Sequence, residues 1–296
     1  MPSFRNAKSQ AQHAVKQKLS IKTARHIQRD DKRIHSLGTV RNYEQALIRI
    51  TQWLQENKLN DLKSLNQDTA LKYLELRGQS VGQKTLDKKR QAIQLHLGIK
   101  LPVIKSELSQ ALKSRAYTFE QVQLISKSQT EKNRLATEIA YAAGLRAHEL
   151  LTLLPQHNRS ASTHRQWSSR RFVGRSGEIY TVIGKGGLIR EIMLPHDLAK
   201  QLESNRFKTP VIIRDRDINY QCHYNIGGGK QWSNSFSSAS KRALGWSHGA
   251  HGLRHSFAQD RVNELQRLGF IYQEALGIFS QLLGHFRPDI TEVYLR

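Results

Sequence analysis

From Thr39 onward, Val40, Tyr43, Leu47, Ile50 and Leu54 recur at three- and four-residue spacing. That period lines one face of a helix and predicts an amphipathic helix ending near Asn57. Two more follow, over 68–77 with Leu71, Leu74 and Leu76 and over 83–97 with Leu86, Ile93 and Leu97, punctuated by Gly78, Gly82 and Gly98. Together they predict a small helical bundle across residues 36–100. Further along, Thr118 with Gln121 three residues later fits a capping box that starts a helix through Ser126. Helical character continues over 131–143 and 147–154, broken at Gly144. The pattern then changes: Ile179, Thr181 and Ile183, followed by Ile189, Ile192 and Leu194, have β character on either side of a GKGG turn and predict a hairpin. Helices are expected again at 196–204, 234–244, 252–268 and 272–283, with 205–233 irregular. The fold class is therefore mainly α with a small β-hairpin or sheet (α+β), without internal repeats.

The 296 residues suit two domains, each able to bury a core. The polar segment 101–117, with Pro102, Lys105, Lys113 and Arg115, is the expected linker, leaving 118–296 as the second domain. Charge sharpens this picture. Lys and Arg number 47 against 24 Asp and Glu, a net charge of +23, so a polyanionic partner is expected. Residues 1–35 are basic and poor in large apolar side chains, which predicts a mobile or partly helical arm able to touch phosphates. Lys84, Lys88, Lys89 and Arg90 are expected on exposed bundle faces opposite a duplex. Arg170 and Arg171, among several arginines ahead of the hairpin, are further phosphate-contact candidates. No apolar run approaches the roughly 20 residues that span a bilayer, and the start MPSFRNAKSQ lacks the apolar core of a secretory signal, so no membrane role is expected. The one cysteine, Cys222, fits a reducing cytoplasm.

Four separated segments, GLRAHEL (144–150), VIGKGG (182–187), HGLRHSFA (251–258) and LLGHFRPDITEVY (282–294), stand in an order that resembles the tyrosine recombinase or phage-type integrase family. The match covers about residues 118–294, and the preceding helical bundle resembles the family's core-binding domain in general character. The resemblance implies a catalytic set of Arg146, Lys185, His251, Arg254, His285 and Tyr294, with Tyr294 nine residues after His285. It implies site-specific cutting and rejoining of double-stranded DNA through a 3′-phosphotyrosyl intermediate. A homotetramer on paired sites, accessory DNA-bending proteins and no cofactor or metal are implied with it. The basic arm favours a mobile genetic element as the context.

The chemistry of these residue types agrees. Two guanidinium groups stay charged and donate paired hydrogen bonds to a phosphate whose charge must be held through an in-line transition state. A phenol can form a covalent phosphoryl link that stores the bond for religation. A lysine on a glycine-rich turn can protonate the leaving 5′ oxygen. His251 and His285 would bond the phosphate, with His251 a candidate for proton transfer with Tyr294, and Glu149 would orient the neighbourhood of Arg146 or His251. His255 is read as a structural neighbour. Zinc is disfavoured at His248, His251 and His255, which lack a cysteine or carboxylate partner. The glycine runs do not have nucleotide-loop spacing, because Ile179 and Tyr224 stand where the first glycine is needed. Type IB topoisomerase-like relaxation, or non-catalytic DNA binding on the same fold, are the alternatives.

Two departures from the family pattern stand out. Arg254 and His285 are farther apart than in compact relatives, and the sequence stops two residues after Tyr294, where many relatives continue into a tail that docks on a neighbouring subunit.

Overall fold

A computed structural model describes residues 6–20, 33–109 and 114–295. The chain divides into two compact units, Met1–Ala111 and Leu112–Arg296.

The first unit is helical: α1 (Ala7–Lys16), α2 (Leu37–Glu56), α3 (Gln67–Gly78) and α4 (Gln83–Leu97). Side chains set where these helices begin. Ser36 Oγ accepts the Thr39 N–H at the start of α2 and Asn66 Oδ1 accepts that of Thr69 at the start of α3, filling amide donors that a helix leaves unpaired. The apolar stripes meet in one core that includes Ile50, Leu54, Leu74, Leu86 and Ile93; each such side chain, fully buried, contributes about 1.5–3 kcal/mol. Two expectations need correction. Residues 6–20 are not an arm, because α1 buries Ala11 and Val15 in this same core and the Gln10 side chain accepts the Leu62 N–H at 2.9 Å. Ile34, at the end of the expected arm, is buried in that core as well, and residues 1–5 and 21–32 lie outside the described residues. Residues 101–107 fold back on α3 and α4 instead of linking: Leu101 is buried, Gln83 bonds Ile104 O and the Ser106 N–H, and the Glu107 N–H donates to Gly78 O.

The second unit places α5 (Phe119–Lys127) and α6 (Glu131–Ala143) ahead of a three-stranded antiparallel sheet in the order β1 (Leu154–Pro155), β2 (Glu178–Ile183), β3 (Ile189–Leu194). The capping box of Thr118 and Gln121 starts α5. After β3 come α7 (His196–Ser204), a second hairpin of β4 (Arg206–Asp215) and β5 (Ile218–Tyr224), then α8 (Gly229–Leu244), α9 (Gly252–Arg267), α10 (Tyr272–Leu282) and the short α11 (Pro288–Thr291). This second hairpin falls where irregular chain was expected. β4 carries Pro210 at a register shift between Arg206 and Val211 and is largely exposed, so it lacks the alternation of a half-buried strand. Residues 147–154 likewise form a single 3-10 turn, Glu149–Thr152, before β1. One core packs α5, α6, α8 and the sheet around Ile139, Val182, Leu194, Trp232 and Phe236. A second joins α9 to α10 through Phe257, Leu265, Leu276 and Phe279 and includes Tyr294.

Candidate active site

α6 stops at Gly144, which is left-handed at φ 60°. A side chain there would strike the Phe257 ring as well as straining the backbone. The sharp exit brings Arg146 round to meet Glu149. The Arg146 N–H donates to Glu149 Oε2 at 2.8 Å and Arg146 Nη1 donates to Oε1 at 2.8 Å.

Glu149 is the hub of a buried charge cluster and contacts Arg146 rather than His251. Its carboxylate also accepts from Arg190 Nη2 at 2.8 Å, and Arg254 Nη1 stands 3.8 Å away. Burial alone would raise the carboxyl pKa, but Arg190, Arg254 and Arg146 together hold it far below the usual range. Three guanidinium groups thus surround one carboxylate, and the site keeps an excess of positive charge suited to an anion. Arg190 was absent from the sequence-derived set. It is 1 % exposed on β3, with Nε and Nη1 buried and without hydrogen-bond partners. The signal was present in the strand period: Arg190, Ile192 and Leu194 alternate and all face inward.

Arg254 is fully enclosed, with Nη1 on Gly144 O and Nη2 on Leu283 O, each at 2.6 Å. It therefore ties the end of α6 to the end of α10 from the first turn of α9. Burial, then Arg146, lowers its pKa, yet it remains protonated at neutral pH. Tyr294 is 8 % exposed. Its ring lies 5.6 Å from that of His251, 4.9 Å from His255 and 5.5 Å from His285, with the Arg254 guanidinium 5.5 Å from its centroid. The contact of His255 with the Tyr294 ring is one that its adjacency to Arg254 in sequence did not disclose. Burial first and nearby arginines second push His255 and His285 down to about 4, so both rings are neutral at neutral pH. His285 is held from the other side, Arg146 Nη2 standing 3.0 Å from its Nε2. The loop after His285 is packed by the long segment preceding β2: Trp167 meets the Phe286 ring edge-on at 4.7 Å and Arg165 lies over it at 5.2 Å.

Lys185 is exposed on the β2–β3 turn, where Gly186 and Gly187 take φ 79° and 83°. Together with Arg146, Arg190 and His285 it lines an open cavity of about 500 Å³. Tyr294 is not among the residues lining this cavity. Among the described residues, no group of three His, Cys, Asp or Glu is arranged to hold a metal, and no helix is long and apolar enough to cross a membrane.

The expected DNA-contact residues separate. Lys84 and Lys88 are exposed on α4 and Arg170 is exposed beside the Phe270 ring. Lys89, expected on an exposed face, is buried, with Nζ 3.4 Å from the Tyr73 hydroxyl. Arg90 is half-buried and donates to Gln94 and Leu101 O. Arg171 is mostly enclosed and paired with Glu191 at 2.7 Å. Packing has drawn these last three inward because their long aliphatic stems cover apolar surface.

The family model described as phage integrase, N-terminal SAM-like domain, matches residues 25–95. A comparison with curated proteins gives no match. Among solved structures, the XerH site-specific recombinase bound to palindromic difH substrate in a post-cleavage complex is 15 % identical, with a TM-score of 0.59 over 99 % of this chain and 94 % of that one. XerH bound to difH before cleavage gives 0.53 at 16 % identity with the same coverage. A lambda integrase dimer bound to a COC′ core site gives 0.50 at 17 % identity over 88 % of this chain and 72 % of that one. The chain has the fold of these recombinases, and residues 25–95 match the phage-integrase N-terminal SAM-like domain.

Proposed function

We propose that this chain is a site-specific DNA recombinase of a mobile genetic element, cutting and rejoining double-stranded DNA through a 3′-phosphotyrosyl link at Tyr294. The observation that carries the reading is the Tyr294 ring set among His251, His255 and His285 with Arg254 over it. Beside it is a cavity lined by Arg146, Arg190 and Lys185. The net charge of +23 and the exposed Lys84, Lys88 and Arg170 support a DNA partner. The phage-integrase N-terminal domain supports the mobile-element context.

In this reading the scissile phosphate enters the cavity and takes Arg146 as its principal guanidinium contact, with Arg190 and Arg254 adding charge from behind. Tyr294 Oη attacks phosphorus. A bond from Oη to phosphorus forms, the bond to the 5′ oxygen breaks, and Lys185 Nζ supplies the proton that the leaving oxygen needs. The phenolic proton passes to a neutral histidine, His251 being the nearest to solvent. Tyr294 does not line the cavity in the free chain, so its hydroxyl must approach the phosphate when DNA binds. Religation runs the same steps backwards, with no cofactor required. Recombination of two duplexes calls for a tetramer on paired sites, aided by DNA-bending proteins.

The test is product analysis on plasmids carrying paired candidate sites taken from the DNA flanking the coding sequence. Recombinant junctions are expected. Relaxed circles without junctions would instead assign the same chemistry to supercoil relaxation.

A further inference from the structure

Thr291 is fully buried in α11, six residues after His285, and no part of the scheme above uses it. Its Oγ1 donates to Arg287 O at 2.8 Å and lies 3.4 Å from His285 Nδ1. A hydroxyl has one proton, and here it points at the Arg287 carbonyl. What Thr291 offers His285 is therefore a lone pair, which calls for a hydrogen on Nδ1. The contact at the other ring nitrogen is one that this tautomer makes possible. Arg146 Nη2, 3.0 Å from His285 Nε2, is a donor only, so Nε2 must be the acceptor.

We propose that Thr291 is a positioning residue that fixes His285 as its Nδ1–H tautomer, turning the Nε2 lone pair toward the site to hold the Arg146 guanidinium. Arg146 then has two oriented acceptors, Glu149 Oε1 and His285 Nε2, and presents its remaining donors to the cavity in one arrangement. The role of the oriented guanidinium rests on the phosphoryl-transfer reading above; the tautomer does not. Burial, Arg254 and Arg146 keep the ring from taking a second proton at neutral pH, so the choice between nitrogens matters there. When a phosphate takes up Arg146, Nε2 is released as a second place for the Tyr294 proton to go.

The test is nitrogen NMR of the full chain without DNA, its histidine rings labelled with 15N and the His285 signals identified by their loss in His285→Gln. The expected spectrum has a protonated Nδ1 and an unprotonated Nε2. Thr291→Val, of nearly the same shape, shifts His285 toward the Nε2–H form, and Thr291→Ser keeps the original form. In single-turnover cleavage at saturating DNA, Thr291→Val is slowed on the order of tenfold with unchanged DNA affinity, while Thr291→Ser stays within about twofold. An Nε2–H His285 in the wild type, or a Thr291→Val spectrum identical to it, overturns the proposal. Should Thr291→Val not fold, the wild-type tautomer decides. A wild type with the expected tautomer that forms no covalent DNA adduct would overturn the phosphoryl-transfer reading and leave the tautomer assignment standing.

Discussion

Glu149 Oε2 lies 2.8 Å from Arg190 Nη2, and neither side chain reaches solvent. Removing only the negative member leaves Arg190 and Arg254 buried without a counter-charge. Glu149→Gln is expected to destabilise the second unit by about 3–5 kcal/mol, the usual penalty for breaking a buried pair on one side. Chemical denaturation measures it. A loss under about 1 kcal/mol, typical of an exposed pair, would contradict the hub.

His255 and His285 are neutral in the folded chain because burial, reinforced for His255 by Arg115 and Arg254 and for His285 by Arg254, Arg146 and Arg190 against the opposing Glu149, brings both to about 4. Unfolded, they titrate near 6.5. As pH falls from about 6.5 to about 4 the unfolded chain takes up these protons first, so stability is full above that window and declines through it. Denaturation midpoints measured across the window are expected to fall with pH. His255→Asn flattens part of the slope; equal slopes for both proteins would contradict the assignment.

Lys185 stands exposed on a turn that holds little of the core. Lys185→Ala is expected to leave thermal stability unchanged and to slow cleavage by about 10²–10⁴-fold, the range for loss of a general acid. A substrate with sulfur in place of the leaving 5′ oxygen needs no proton donor and should recover most of that rate. Equal defects on both substrates would assign Lys185 to binding instead.

Exposed and buried cations of α4 should behave differently. Lys84→Ala and Lys88→Ala are each expected to weaken DNA binding and to lower the slope of log affinity against log salt by about one. Lys89→Met leaves that slope unchanged, because its ammonium faces Tyr73. A salt slope reduced by Lys89→Met and untouched by the other two would reverse this division.

Helices were legible where the apolar period was sustained: α4 begins and ends where its spacing and its flanking Gly82 and Gly98 say it should. β4 was not, because an exposed strand interrupted by Pro210 has no buried face to write a period of two. α1 was hidden by its small buried residues, Ala7, Ala11 and Val15, among polar ones. Within the site, ordered motifs led to Arg146, His285 and Tyr294, which the fold gathers around Glu149 and Arg254. Arg190 and Thr291 escaped because their roles come from burial and from which atom faces which. Lys89 went the other way, since the sequence shows a charge but not the direction in which its stem packs.

The most direct measurement is covalent capture on nicked duplexes carrying candidate sites, in EDTA, with wild type and Tyr294→Phe run side by side on a denaturing gel. A protein–DNA adduct formed by the wild type, absent from Tyr294→Phe while that variant still binds the duplex, is the expected result. An adduct of equal yield in Tyr294→Phe, or strand cleavage that appears only when a divalent metal is added, would contradict a tyrosine nucleophile at this site.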